Sequence, residues 1–422
     1  MAEPFQMTTP EGTEILVETL PHVRSCAVGF WVRRGSRHEG LEEEGLAHFL
    51  EHTVFKGTEA YPTPDELAAA TDRLGGHVDA FTGKEVACFY GKVLTDQLPE
   101  LVHLLGDLVT APCFDTDELI RERGVILEEI AQSEDQPDDW VSALFYGGFW
   151  EGTPLAHPIL GRRDQVSGYG AQEARTFFDH TYRAPNLVVA AAGAIEAESF
   201  LDLLQPILAR LPKGTAHAPG ALARTQPFIL NTPRKDLQQA SLVMGFPAPD
   251  HLSPDRAAAH LLSHVLGGGM ASRLFMELRE RRGLCYQVGS YMSPYADTGA
   301  LQISASCAPA QLRELVQRTM VECARIREKG VESDELERAK LQARTGLVFS
   351  QESSSSRMFS LAHQTIHHGE LRSLDQQMAE IAAVTSEEVL RVAQALLDPA
   401  KIGLSALGTR RGSDIRPQDL VA

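Results

Sequence analysis

No run of 18 apolar residues occurs anywhere in the 422-residue sequence, so no segment reads as a membrane-spanning helix. The opening, MAEPFQMTTPEGTEILVETLP, has no charged stretch followed by an apolar one and does not read as a secretory leader. The six cysteines (Cys26, Cys88, Cys113, Cys285, Cys307 and Cys323) form no C-x-x-C pair and lie in mixed apolar surroundings. They read as buried free thiols, and with the missing leader they give a cytoplasmic expectation. Bases are also scarce: 39 Lys and Arg stand against 57 Asp and Glu, a formal charge of -18. Nucleic acid is therefore not expected as a partner, because phosphate binding needs a basic face. An acidic surface is compatible with basic or polar peptides and, more generally, keeps a protein in solution.

What is present is the balance of a packed globular protein, 43% hydrophobic and 23% charged, without a long low-complexity tract. A chain this long exceeds what one hydrophobic core usually organises, so two or more domains are expected. The Pro-, Gly- and Ala-rich stretch LPKGTAHAPGALARTQP (211–227) lacks helical or alternating periodicity and reads as a linker. It divides the chain into an N-terminal domain, 1–210, and a C-terminal domain, 228–422. Each opens with strand-like segments, ILVETL and CAVGFWVRRG in the first and ASLVMGFPAP in the second. Long helical stretches follow, such as Pro64 to Leu74 and Pro254 to Leu266, each with Thr63 or Ser253 ahead of a proline suited to the first helical position. The pattern predicts an α+β fold. Two α/β-sandwich-like domains are expected, each a mostly antiparallel sheet with helices packed on one face.

The two halves resemble each other. Ala47-His-Phe-Leu-Glu-His-Thr-Val-Phe aligns with Ala259-His-Leu-Leu-Ser-His-Val-Leu-Gly, and Asp117-Glu-Leu-Ile-Arg-Glu-Arg with Asp334-Glu-Leu-Glu-Arg-Ala-Lys, at offsets of 212 and 217 residues. Such similarity reads as the duplication of one unit.

The chemistry concentrates in GLAHFLEHTVFKGT, where Leu46, Phe49, Leu50 and Val54 recur at helical spacing. His48 and His52 then project from one helix face and can reach one cation. Glu51 falls beside that cation, where a general base for a metal-bound water belongs. A third ligand is needed, and FDTDELIRERGVILEEIAQSED supplies candidates. Asp115 and Glu118 form a D-x-x-E capping box, so a helix is expected from there through Ile130. Glu128 and Glu129 compete for the ligand position, pointing about 100° apart. Glu122 lies two turns before Glu129 on the same face, which favours Glu129 as ligand and Glu122 as a supporting acid, with Glu128 still a competitor.

GLAHFLEHTVFKGT, GGHVDAFTGKEVACFY and ERGVILEEI resemble the pitrilysin–insulysin family of inverted-motif zinc peptidases, most closely the branch of mitochondrial processing peptidase and its bacterial relatives. The resemblance covers nearly the whole chain. It implies one zinc ion per chain held by His48, His52 and Glu129, with Glu51 as base and Glu122 in support. It also implies an endopeptidase acting on peptides or extended protein segments inside a chamber. The segment His77 to Gly83 alternates and suits an edge strand; in the family a comparable edge pairs with substrate, which implicates Ala80, Phe81 and Thr82. Asp79 departs from the Asn common in relatives.

In the second half Glu51 corresponds to Ser263 and Glu129 to Gly346, while His260 and His264 remain. This copy lacks both acids, so no metal is expected there. The stretch VLGGGMASRLFMELRERRGLCYQVGSY carries Arg279 and Tyr286 seven residues apart. The resemblance places such a pair near the zinc, where both side chains can donate to a developing oxyanion. It further implies pairing of chains, as a homodimer or as a heterodimer with a non-catalytic paralogue. A non-catalytic scaffold or peptide-binding subunit of the same fold is the alternative function.

Overall fold

The computed structural model describes residues 3–216 and 222–421. The first half runs through strands β1 (Phe5–Thr8), β2 (Glu14–Thr19) and β3 (Ser25–Val32), helices α1 (Leu46–Val54) and α2 (Pro64–Arg73), and strands β4 (His77–Thr82) and β5 (Ala87–Leu94). Helices α3 (Leu98–Thr110), α4 (Thr116–Asp135), α5 (Pro137–Phe149), α6 (Arg163–Val166) and α7 (Ala171–Thr181) follow, then β6 (Leu187–Gly193) and α8 (Ala197–Arg210). The second half has β7 (Phe228–Pro233), β8 (Ala240–Pro247), α9 (Arg256–Gly267), β9 (Cys285–Pro294) and β10 (Gly299–Cys307). It ends with α10 (Leu312–Lys329), α11 (Ser333–Ser350), α12 (Ser354–His368), α13 (Leu374–Ala383), α14 (Ser386–Leu396) and β11 (Gly403–Thr409).

The strands form two sheets, ordered β1-β2-β6-β3-β5-β4 and β7-β11-β8-β10-β9. Among the described residues only β2 with β6 and β7 with β11 run parallel; every other strand pair is antiparallel. Strand for strand, β2-β6-β3-β5-β4 matches β7-β11-β8-β10-β9, parallel pair included. The repeat visible in two short segments therefore extends through the topology. The fold is α+β.

The compact units are not the contiguous stretches 1–210 and 228–422. One comprises Met1–Ala131, His157–Ala221 and Phe349–Leu371, the other Gln132–Ala156, Leu222–Val348 and Arg372–Ala422. Thus α12, from the second half, belongs to the first unit, and α5, from the first half, to the second. Part of the expected linker, 217–221, lies outside the described residues. Of the rest, Pro212 accepts from Ala184 N–H in the first unit, and Gln226 N–H donates to Phe149 O in the second.

The expectation of helices on one face of each sheet is corrected by the same exchange. In the first unit Ile15, Val28, Phe30 and Val189 pack with residues of α1, α3, α7 and α8. The alternate set, Leu16, Ala27, Trp31, Val188 and Ala190, packs against Met358, Leu361 and Ala362 of α12. Both faces are covered, which is why β3 and β6 read as nearly unbroken apolar runs. In the second unit Leu242, Met244 and Ile303 face the core containing α9, α10 and α14. Val243, Ala300 and Leu407 meet Val141, Phe145 and Phe149 of α5.

Local signals held unevenly. Thr63 caps α2 in a full capping box with Glu66. The helix expected at Pro254 begins instead at Arg256 after Asp255, with Ser253 Oγ accepting from Asp255 N–H. Helix α4 continues past Ile130 to Asp135. Among the described residues no helix is long and apolar enough to cross a membrane.

Candidate metal centre

Helix α1 buries Leu46, Ala47, Phe49, Leu50 and Val54 in the core. That leaves His48 and His52 one turn apart on the remaining face, their ring centroids 4.5 Å apart. Helix α4 starts where Asp115 Oδ1 accepts from the N–H groups of Asp117 and Glu118, each at 3.0 Å. Its buried stripe, Leu119, Ile126 and Ile130, turns Glu122 and Glu129 toward α1 and leaves Glu128 exposed.

Glu129 Oε2 lies 3.7 Å from His48 Nε2 and 3.4 Å from His52 Nε2, and the three ligand atoms fall within 4.8 Å of one another. Ligands about 2.0–2.1 Å from a tetrahedral cation stand about 3.3–3.4 Å apart. Two imidazole nitrogens and a carboxylate oxygen at this spacing therefore suit zinc. Glu122 braces the arrangement: Oε1 is 2.8 Å from His52 Nδ1 and Oε2 is 2.7 Å from Lys56 Nζ. Lys56 escaped notice in the sequence: it lies beyond the end of α1, in the turn where its N–H donates to Thr53 O, so helical spacing does not place it at the site.

The electrostatics follow from this packing. Burial lowers His48 to about 4, helped by the neighbouring His52 charge. Burial also pulls His52 down, but its hydrogen bonds to Glu122 and Glu129 outweigh that and raise it to about 9. Glu122 is lowered because its bonds to His52 and Lys56 outweigh its own burial, and Glu129 is lowered by its bond to His52. Glu51 goes the other way: burial raises its pKa, opposed by Thr82 and His52. Its Oε2 is buried without a hydrogen-bond partner among the described residues.

Strand β4 is the outer strand of its sheet. Ala80 and Thr82 are half-buried and Phe81 is exposed on the opposite face. The Thr82 hydroxyl reaches Ala47 O on α1. Asp79 accepts from Tyr90 Oη at 3.3 Å.

In the second unit His264 Nε2 meets the Gln342 side-chain oxygen, and Ser263, the counterpart of Glu51, lies 3.3 Å from the Ser290 hydroxyl. The repeat of the metal-site helix is thus tied by hydrogen bonds to Gln342 and Ser290. Arg279, in a single-turn π-helix (Phe275–Glu280), stacks over the Tyr286 ring at 4.9 Å and over Phe275 at 4.6 Å. The pair borders a cavity of about 530 Å³ that Asp138 and Ser306 also line.

A two-sheet α+β fold with a His-x-x-Glu-His helix facing a glutamate helix defines a class of metallopeptidase-like proteins. Residues 14–163 match the model of "Insulinase (Peptidase family M16)" and residues 170–343 that of "Peptidase M16 inactive domain". The chain is 36% identical over 425 residues to an uncharacterized zinc protease of Mycobacterium tuberculosis, covering 99% of this chain and 96% of the relative. It is 35% identical over 393 residues to the uncharacterized zinc protease YmxG of Bacillus subtilis, covering 92% and 94%. The chain belongs to peptidase family M16, a family of zinc proteases. The same fold occurs in a protease from Helicobacter pylori, with TM-score 0.89 at 20% identity, covering 96% of this chain and 99% of the other. A peptidase M16 inactive domain from Pseudomonas fluorescens gives 0.90 at 22%, covering 97% and 99%.

Proposed function

We propose that this chain is a zinc-dependent endopeptidase, binding one zinc ion through His48, His52 and Glu129. The observation that carries the reading is the convergence of these three donors beside Glu51, whose buried Oε2 has no hydrogen-bond partner among the described residues. When bound, zinc supplies Lewis-acid polarisation of a carbonyl and makes a water more acidic. Glu51 Oε2 takes the proton of the attacking water, and its raised pKa lets it hold that proton until the leaving amine accepts it. Glu122 orients His52 through Nδ1.

The outer edge of β4 suits an extended peptide paired through its backbone at Ala80, Phe81 and Thr82, which favours unfolded or flexible substrates. Arg279 and Tyr286 serve as donors to the oxyanion that forms on the scissile carbonyl. The working form is a cytoplasmic homodimer, a heterodimer with a non-catalytic paralogue being the other arrangement to test.

The test pairs zinc analysis with peptide turnover. Purified wild type should hold stoichiometric zinc and cleave unstructured peptides, and Glu51→Gln should keep the zinc and lose turnover. Absence of zinc from the wild type, or undiminished cleavage by Glu51→Gln, would overturn the reading. Peptide binding by zinc-loaded wild type without cleavage would replace it with a non-catalytic peptide-binding role. Native mass measurement reads the oligomer.

A further inference from the structure

Glu39 lies outside every element that carries the metal-site side chains, yet it is buried, only 4% exposed. Its Oε2 accepts from Gly45 N–H at 2.8 Å and its Oε1 from Ala47 N–H at 2.8 Å. These amides open α1: Gly45 precedes the helix at φ 91° and Ala47 immediately precedes His48. The first amides of a helix have no partner within it. One carboxylate spanning two of them fixes the geometry of the turn as well as its existence.

The two histidines are held differently. His52 has its second ring nitrogen braced by Glu122 at 2.8 Å. His48 Nδ1 is buried with no hydrogen-bond partner among the described residues. A metal-ligating histidine ordinarily has that nitrogen fixed by a carboxylate, carbonyl or water. Without such a brace, the aim of the His48 ring depends on packing and on the backbone that carries it, and that backbone is the turn Glu39 grips.

Glu39 itself belongs to a stitched segment. Ser36 N–H donates to Gly83 O at 3.1 Å and Arg37 N–H to Lys84 O at 2.9 Å, in the turn joining β4 to β5. The Lys84 ammonium donates to His157 O and acts as a positive charge on Glu39. Burial pushes the Glu39 carboxyl up to about 8 even though the Gly45 and Ala47 amides and Lys84 favour its charged form.

We propose that Glu39 is a positioning residue of the metal centre, setting the direction of the His48 imidazole through the Gly45 and Ala47 amides. It does for His48 through the backbone what Glu122 does for His52 through the ring. The inference rests on the zinc-peptidase reading of His48, His52 and Glu129.

Glu39→Gln in the full chain turns one acceptor oxygen into a donor facing a backbone N–H, so only one amide stays satisfied. The zinc dissociation constant, read by chelator competition, should rise about 10–100-fold. The zinc-saturated variant should lose about tenfold in kcat with KM within about twofold. Glu39→Asp keeps two acceptors and should recover part of both; it carries the same comparison should Glu39→Gln fail to fold. Asp107→Asn, which removes the charge of another buried carboxylate, paired with Arg210 at 2.7 Å, should cost stability and leave zinc affinity unchanged. The His48 imidazole nitrogen resonances of the metal-free protein should move in Glu39→Gln and stay put in Asp107→Asn. Unchanged zinc affinity, kcat and His48 resonances in both Glu39 variants would overturn the proposal while the wild type remained a zinc peptidase. Zinc-free wild type would sink the peptidase reading, and the imidazole resonances would still decide whether Glu39 aims His48.

Discussion

Glu122 touches His52 Nδ1 with one oxygen, at 2.8 Å, and Lys56 Nζ with the other, at 2.7 Å. A carboxylate held at both oxygens has little freedom left, so it fixes the tautomer and tilt of the ring it contacts. Glu122→Gln keeps the shape and loses the charge. It should weaken zinc affinity about 10–100-fold, measured by chelator competition, and Lys56→Met should act in the same direction less strongly. Equal zinc affinity in Glu122→Gln and wild type would mean that His52 is oriented by packing alone.

The choice between two adjacent acids gives a sharper test. Glu129 stands 3.4 Å from His52 Nε2, whereas Glu128 is exposed. Glu129→Gln should therefore cost more zinc affinity than the about 10–100-fold expected for Glu122→Gln. Glu128→Gln should leave zinc content and peptide turnover at wild-type values. A reversed pattern would reassign the third ligand.

The charges at the site predict a pH signature for the metal-free protein. His52 is raised to about 9 and His48 lowered to about 4, so at neutral pH one histidine carries a proton that a metal must displace. Zinc binding at pH 7 should release about one proton per ion, seen as a dependence of calorimetric enthalpy on buffer ionisation. Apparent affinity should rise with pH and level off near 9. Stability has the opposite sign. A histidine whose folded pKa exceeds its unfolded value stabilises the fold fully below 6.5, and that contribution disappears as pH rises through about 9. The urea midpoint of chelator-treated protein should fall over that interval. A flat midpoint would show that His52 is not protonated in the folded, metal-free chain.

The parts of this molecule legible from sequence are those set by short-range periodicity. His48 and His52 share a face because they are four residues apart on a helix, and β4 is recognisable from its alternation and stands at the sheet edge. Sequence favoured Glu129 over Glu128 as third ligand from its spacing to Glu122 but left Glu128 a competitor, because the rotation of α4 depends on how Leu119, Ile126 and Ile130 pack. The exchange of α5 and α12 was invisible for a related reason. Nothing local in Val141, Phe145 and Phe149 says which of two similar sheets they cover. Glu39 was missed because its partners are backbone amides, which leave no side-chain pattern to read.

The seating of α12 on the first unit's sheet turns on Arg357, whose side chain is 3% exposed beside Glu18 at 12%. Arg357 Nε donates to Glu18 Oε2 at 2.8 Å, and Nη2 contacts Oε1. Glu18 belongs to β2 and Arg357 to the first turns of α12, so the pair joins elements far apart in the chain. Arg357→Met would leave a buried carboxylate without its partner, a loss of about 3–5 kcal/mol. Replacing both residues with methionine removes the stranded charge and restores apolar packing, so the double variant should lose far less. Denaturant unfolding of the two single variants and the double variant gives the coupling directly. If the double variant loses the sum of the two singles, the pair is uncoupled, and α12 is held by Met358, Leu361 and Ala362 against the sheet instead.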